Sequence, residues 1–222
     1  MLIFLTPCRK PQIDDLTQSF GKEDKDGIYP TLNHWHKRGG LVARGVLIDY
    51  KAWADKNGIS YSPFEAHAIT VENIEKVAKD QGVEFKPGDV LIIRSGYTEA
   101  LTAAGTGEKQ QELLSAHKAV GVVGDTQTAK WHWNKHFSAV AGDAIGYEHV
   151  PPIVDGKEQG LENLVLHTWF LSMFGMSIGE LWDLKQLSET CKKLGRYSFL
   201  LTSAPLNVPG LVGSPPNALA VF

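Results

Sequence analysis

Two short apolar runs on either side of one amphipathic helix constrain this chain more than anything else in it. Residues 42–50, Val-Ala-Arg-Gly-Val-Leu-Ile-Asp-Tyr, and residues 90–93, Val-Leu-Ile-Ile, are hydrophobic with little alternation. That is the pattern of a strand covered on both faces. Between them Thr70 offers an N-cap hydroxyl, Glu72 sits in the first turn, Val71, Ile74, Val77 and Ala78 recur at helical intervals, and Gly82 ends the run. The spacing predicts a helix over 70–82. A Lys86-Pro-Gly-Asp89 turn then delivers the second run, so strand, helix and strand follow one another as a parallel crossover requires. The expected fold is α/β, one domain with a mixed, partly parallel sheet.

Periodicity beyond this unit predicts helices over 107–119 and 126–136, a strand over 137–141, and a Pro- and Gly-containing loop over 142–160. An apolar helix over 161–174, an extended piece over 177–182, a helix over 183–194 and a strand over 197–201 follow. Prolines 205, 209, 215 and 216 lack the N–H that a helix or central ladder needs, so they mark a loop before a last strand near 217–222. Residues 1–40 have turn-like clusters at 21–27 and 38–40 and little periodicity. They read as an irregular arm ahead of a domain at 41–222.

Lys plus Arg number 22 against 25 Asp plus Glu, a net charge of -3. No broad cationic field is present to attract nucleic acid or anionic lipid, so the expected partner is a small molecule. Cys8 and Cys191 form no Cys-x-x-Cys pair, which argues against a disulfide framework or a thiolate zinc site. The apolar start is brief and its Arg9 and Lys10 follow it, unlike a secretory signal, and no run approaches the roughly 20 apolar residues of a membrane span. A soluble, cytoplasmic protein is expected.

No dinucleotide or phosphate-binding glycine motif and no Gly-x-Ser-x-Gly elbow occurs, so histidines and carboxylates are the candidates for chemistry. His167 has Leu164 and Leu171 as its i-3 and i+4 neighbours, and Glu180 is flanked by large apolar residues in Ile178-Gly-Glu-Leu-Trp182. A helix followed by a short strand could converge the two on one cation. By physics alone, a hydrogen-bonded core histidine and a salt-bridged glutamate are the more frequent outcome. His132 and His136 share a helical face but have no acid between them, and an ordinary surface or core pair is favoured over a metal site. His136, just ahead of a predicted strand, is also a candidate for a cleft wall. His34 and His36 lie in the arm with no acid nearby. Asp143, Tyr147, Glu148 and His149 follow the predicted strand 137–141, at the strand end where α/β folds bind ligands; an ordinary polar loop is as consistent with them.

Several stretches in order resemble the cyclase family of metal-dependent hydrolases, whose best known activity is that of kynurenine formamidase, and its fungal-type members in particular. They are Gly45-Val-Leu-Ile-Asp-Tyr50, Ser62-Pro-Phe-Glu-Ala-His-Ala-Ile-Thr70, Gly88-Asp-Val-Leu-Ile-Ile-Arg-Ser-Gly96 and Val140-Ala-Gly-Asp143. Leu166-His167, Ile178-Gly-Glu180, Thr202-Ser-Ala-Pro-Leu-Asn207 and Ser214-Pro-Pro-Asn-Ala218 complete the set. The resemblance implies a swivelling β/α/β fold, a homodimer or homotetramer, and a zinc- or manganese-dependent hydrolase of an amide, formamide or lactone-like bond in tryptophan catabolism. It implies His167 and Glu180 as metal ligands. His67, Arg94, His136, Asp143 and Glu148 join them as candidate pocket residues, and no catalytic acid or base is assigned. The family's other ligand motif, His-x-Gly-Thr-His-x-Asp, does not occur in residues 1–40. That departure leaves a truncated or inactive member, kept for binding or structure, as the alternative.

Overall fold

The computed structural model describes residues 3–5, 31–154 and 156–222. Its central sheet runs through the two apolar runs, β2 (Leu41–Asp49) and β4 (Val90–Arg94). Around them, in chain order, stand β1 (Ile3–Leu5), β3 (Ala68–Ile69), β5 (Gly121–Val122), β6 (Ala139–Gly142), β7 (Ile153–Val154), β8 (Lys157–Glu158), β9 (Ser177–Glu180), β10 (Ser198–Ser203), β11 (Gly213–Ser214) and β12 (Ala218–Val221). Among the described residues the main sheet has eight strands in the order β11-β1-β9-β6-β4-β2-β10-β12. β2, β4, β6 and β9 are mutually parallel, and β10, β12, β1 and β11 extend the sheet antiparallel at its two sides. The mixed α/β fold expected from the sequence is the one observed.

The reason the two runs lack alternation is visible in the faces they cover. Ile48, Leu91, Ile93, Val140 and Ile178 pack into one core; Leu47, Val90, Ile92, Ala139 and Ala141 pack into a second on the other face. The first core is closed by α2 (Tyr50–Lys56), α3 (Val71–Asp80) and α6 (Thr126–Lys135), the second by α8 (Lys185–Leu194). Helix α3 carries a full capping box, Thr70 and Asn73 each holding the other's backbone N–H, which fixes where the crossover turns. Gly45 lets β10 lie flush on β2: an added Cβ would stand 2.4 Å from a ring carbon of Phe199. Gly45→Ala is expected to cost about 1–3 kcal/mol by overpacking, read as a lower urea midpoint.

The structure corrects the sequence reading in places. The predicted arm is not irregular throughout: Ile3–Leu5 is strand β1, α1 covers Asn33–Lys37, and Leu32 is buried, its N–H on the Leu211 carbonyl at 2.9 Å. A three-residue strand has no period to read, which is why it escaped notice. The turn-like cluster at 21–27 lies outside the described residues. Helices α2 and α4 (Tyr97–Ala103) were not foreseen. α5 (Gly107–Leu114) stops short of the expected 119, because Ser115 folds back onto the Glu112 carbonyl and His117 adopts a left-handed φ of 50°. The expected helix 161–174 is broken into a 3₁₀ turn at Leu161–Asn163, a single α-turn α7 (Val165–His167) and a π-helical stretch Thr168–Phe174. Among the described residues no helix is long and apolar enough to cross a membrane.

Candidate active site at the strand ends

The four parallel strands end side by side, and the polar residues that follow them converge there. Glu180 is the last residue of β9, Asp143 follows β6, and Glu148 lies in the loop after it. His167 comes from α7, on the chain returning toward β9. Its Nδ1 stands 3.0 Å from Glu148 Oε1 and its Nε2 stands 3.0 Å from Glu180 Oε1.

Glu148 is fully buried and is satisfied by the first turn of α7. The N–H groups of Val165 and His167 donate to its two oxygens at 2.9 and 2.8 Å. A carboxylate there satisfies donors that a helix start leaves free. Gly124 makes room for it, since a Cβ would stand 2.3 Å from Glu148 Oε2. Glu180 Oε1 accepts a second hydrogen bond from the Tyr147 N–H at 3.0 Å.

With a carboxylate on each ring nitrogen, His167 is held as an imidazolium. Burial pushes its pKa down, but the hydrogen bonds and charges of Glu148 and Glu180 outweigh burial and raise it to about 9. The folded pKa exceeds the ordinary 6.5, so this pairing stabilises fully below 6.5 and is lost as pH rises through the folded value. The amount is on the order of 3 kcal/mol. In the metal-free chain, the stability gap between wild type and His167→Asn should therefore narrow as pH is raised from about 6 to about 9.5, measured by urea unfolding.

His167 and Glu180 open onto a cleft of about 470 Å³ whose walls include Leu114, Ile145, Val150, Leu161 and Leu164, with Tyr97, His117 and Lys118 completing it. A concave, mainly apolar chamber with a few convergent polar groups is the usual form of a small-molecule site. These walls were not foreseen from the sequence. The apolar ones come from three separate segments, and each is an ordinary apolar residue in isolation.

The remaining expected site residues lie elsewhere. Asp143 sits behind the cleft, taking the N–H groups of Ser95, Gly96 and Tyr97 and the Ser95 hydroxyl at 2.7–3.1 Å, and so fixing the start of α4. Burial pushes its carboxyl up to about 6 against the pull of those bonds. Arg94 is locked in ion pairs with Asp49 and Glu99 beneath the strand ends, and does not line the cleft. His67 accepts or donates at the Tyr50 hydroxyl at 2.8 Å and stacks on Tyr61 at 4.3 Å, in an aromatic cluster apart from His167. His136 is the left-handed cap of α6 and lines a different surface hollow. His132 lies behind the same hollow but is fully buried, with Nδ1 on the Thr128 carbonyl at 2.8 Å and Nε2 on the Tyr147 hydroxyl at 2.9 Å. Burial lowers its pKa to about 4. Both nitrogens are engaged by Thr128 and Tyr147, so nothing in this arrangement favours a His132–His136 metal site.

His167 and Glu180 fit part of a cation site. The two are donor types that a divalent ion takes, and they stand side by side, joined by a 3.0 Å hydrogen bond in the metal-free chain. Glu148 on Nδ1 matches the carboxylate that typically orients a metal-binding histidine from behind. Among the described residues no group of three or more His, Cys, Asp or Glu is arranged to hold an ion. The pair supplies one side of a coordination shell, short of the three protein ligands of a catalytic zinc.

Fold and site together define an α/β protein with a histidine–carboxylate centre at the carboxyl ends of its parallel strands. Residues 31–149 match the family model described as "Putative cyclase". The chain belongs to the cyclase family. Across its full length it superposes on a crystal structure described as a novel cyclase, with a TM-score of 0.78, 25% identity and 69% of that chain covered. Isatin hydrolase A from Labrenzia aggregata, bound to benzyl benzoate, gives a TM-score of 0.64 at 15% identity, with 99% of this chain and 71% of that one covered. A potential metal-dependent hydrolase with cyclase activity gives 0.53 at 17% identity, with 99% and 75% covered. The last two likenesses speak for the fold. A search of curated proteins gave no match.

Proposed function

We propose that this chain is a metal-dependent hydrolase that opens an amide, formamide or lactam-like bond in a small aromatic substrate. The observation that carries the reading is the His167–Glu180 pair, 3.0 Å apart at the wall of an apolar cleft and backed by Glu148. His167 Nε2 and a Glu180 oxygen would hold a divalent ion, zinc or manganese, with further donors from outside the described residues. When bound, such an ion supplies Lewis-acid activation of a carbonyl and of water. Glu148 fixes the ring orientation of His167, the Tyr147 N–H holds Glu180, and the apolar walls seat the ring of the substrate and exclude bulk water. The structural neighbours described as an isatin hydrolase and as a potential metal-dependent hydrolase support this class. N-Formylkynurenine, the substrate of kynurenine formamidase in tryptophan catabolism, is the formamide to test beside isatin. A cytoplasmic homodimer or homotetramer is part of the same reading.

The test is metal analysis of the purified chain after loading with zinc or manganese, paired with hydrolysis assays on both compounds. One bound ion per chain and turnover of either compound are expected, with His167→Ala lowering both about tenfold or more. Neither metal nor turnover would replace the reading with that of a member kept for binding alone.

A further inference from the structure

The buried His132, which the metal site does not use, is joined to Glu180 through a single residue. His132 Nδ1 faces the Thr128 carbonyl at 2.8 Å. A carbonyl only accepts, so Nδ1 carries the ring proton and Nε2 is bare. The Tyr147 hydroxyl, 2.9 Å from Nε2, must therefore donate to it. At its other end the same tyrosine donates its backbone N–H to Glu180 Oε1 at 3.0 Å, while its carbonyl accepts the Val122 N–H at 2.9 Å. The two rings are enclosed by Phe170, whose centroid lies 4.9 Å from that of His132 and 5.9 Å from that of Tyr147. Gly146 and Ile145, the residues just before, line the cleft.

We propose that Tyr147 and His132 are positioning residues for Glu180: the tautomer-locked imidazole pins the phenol, and the pinned tyrosine aims its N–H at the carboxylate. The loop 143–150 belongs to no named strand; backbone bonds to Val122 and Ala119 hold its far half, and the Tyr147 phenol adds a side-chain anchor at the residue whose N–H meets Glu180. Tyr147 is fastened at its phenol and at its backbone, and the carboxylate it holds is the one facing His167 Nε2. Its function as a site rests on the hydrolase reading above; the geometry itself does not.

The test uses three variants. Tyr147→Phe removes only the phenol oxygen. His132→Leu removes the acceptor. His132→Gln is the conservative replacement, since an amide can donate to Thr128 and accept from Tyr147. In the metal-free chain, nitrogen-edited NMR reads the His167 ring protons one by one. The Nε2 proton, which is held by Glu180, should exchange about fivefold faster or more in Tyr147→Phe and His132→Leu, the factor that a weakened hydrogen bond gives. The Nδ1 proton, held by Glu148, should be unchanged, and His132→Gln should keep both. A general loss of stability would move both protons together, so it does not mimic this pattern. If either single variant fails to fold, the double variant Tyr147→Phe/His132→Leu, apolar on both sides, carries the same expectation. Unchanged Nε2 exchange in the folded variants overturns the proposal. Turnover gives the second readout: kcat should fall about tenfold or more with KM unchanged. A wild type that turns nothing over would remove the hydrolase reading, and the ring-proton result would still decide the positioning role.

Discussion

Glu148→Ala should cost about 3–5 kcal/mol, the penalty for breaking a buried ion pair by removing one of its members. Glu148 is fully buried, and the groups it satisfies are the His167 imidazolium and the N–H groups of Val165 and His167. Alanine leaves both N–H groups without that acceptor and leaves the His167 ring with Glu180 as its remaining carboxylate. Glu148→Gln keeps the shape but turns an amide NH₂ toward groups that are themselves donors, so about 1.5–3 kcal/mol is expected. Gly124→Ala reaches the same place by another route, because its new Cβ meets Glu148 Oε2 at 2.3 Å, and about 1–3 kcal/mol follows from overpacking. Urea unfolding ranks the three: alanine at 148 worst, the other two intermediate, with the slope preserved. A Glu148→Ala chain within about 1 kcal/mol of wild type would show that the network bears no weight.

Asp49→Ala is expected to be of the same size. Asp49 and Arg94 are buried, 2.6 Å apart, and the ion pair ties the end of β2 to the end of β4. Ser188 of α8 and the Ala52 N–H of α2 complete the aspartate, and Glu99 of α4 takes Arg94 Nε and Nη2 at 2.7 Å each. Removing the aspartate leaves a guanidinium half-paired in a dry place, a loss of about 3–5 kcal/mol. Replacing both partners by apolar residues leaves no stranded charge. The double variant Asp49→Leu/Arg94→Met should therefore be more stable than Asp49→Ala alone, a comparison that calorimetry settles directly. If the double variant is the less stable, the pair contributes net attraction beyond its own desolvation.

The sequence made the scaffold readable where periodicity is strong. The parity of Leu47 against Ile48, and of Ile92 against Ile93, maps onto two separate cores, and the cap at Thr70 was visible from its spacing. Strand and helix signals are local, and so they survive without the fold. The site was only half readable, because its parts are defined by partners far along the chain. Glu148 could be picked as a strand-end carboxylate, but not as the residue that starts α7. That start in turn explains why the apolar run 161–174 is not one helix: its first donors are drawn to Glu148 rather than to a preceding turn. Arg94 and His67 sit in stretches that resemble the family, yet Arg94 bridges strands and His67 joins an aromatic cluster. Side-chain direction at a strand end is set by neighbours, and no spacing rule encodes it.

The strand order carries a consequence for synthesis. β1 precedes the other described strands, and its neighbours in the sheet among the described residues are β9 and β11, both of which follow β6 in the chain. As the chain leaves the ribosome, the three residues of β1 meet their sheet partners among the described residues only after β2, β4 and β6 have emerged. Their backbone groups must wait, while β2, β4 and β6 can already pair in order. β9, which carries Glu180, then arrives between a neighbour long since placed and one still waiting, so the closing of the sheet and the completion of the His167–Glu180 pair are expected to be late and coupled events.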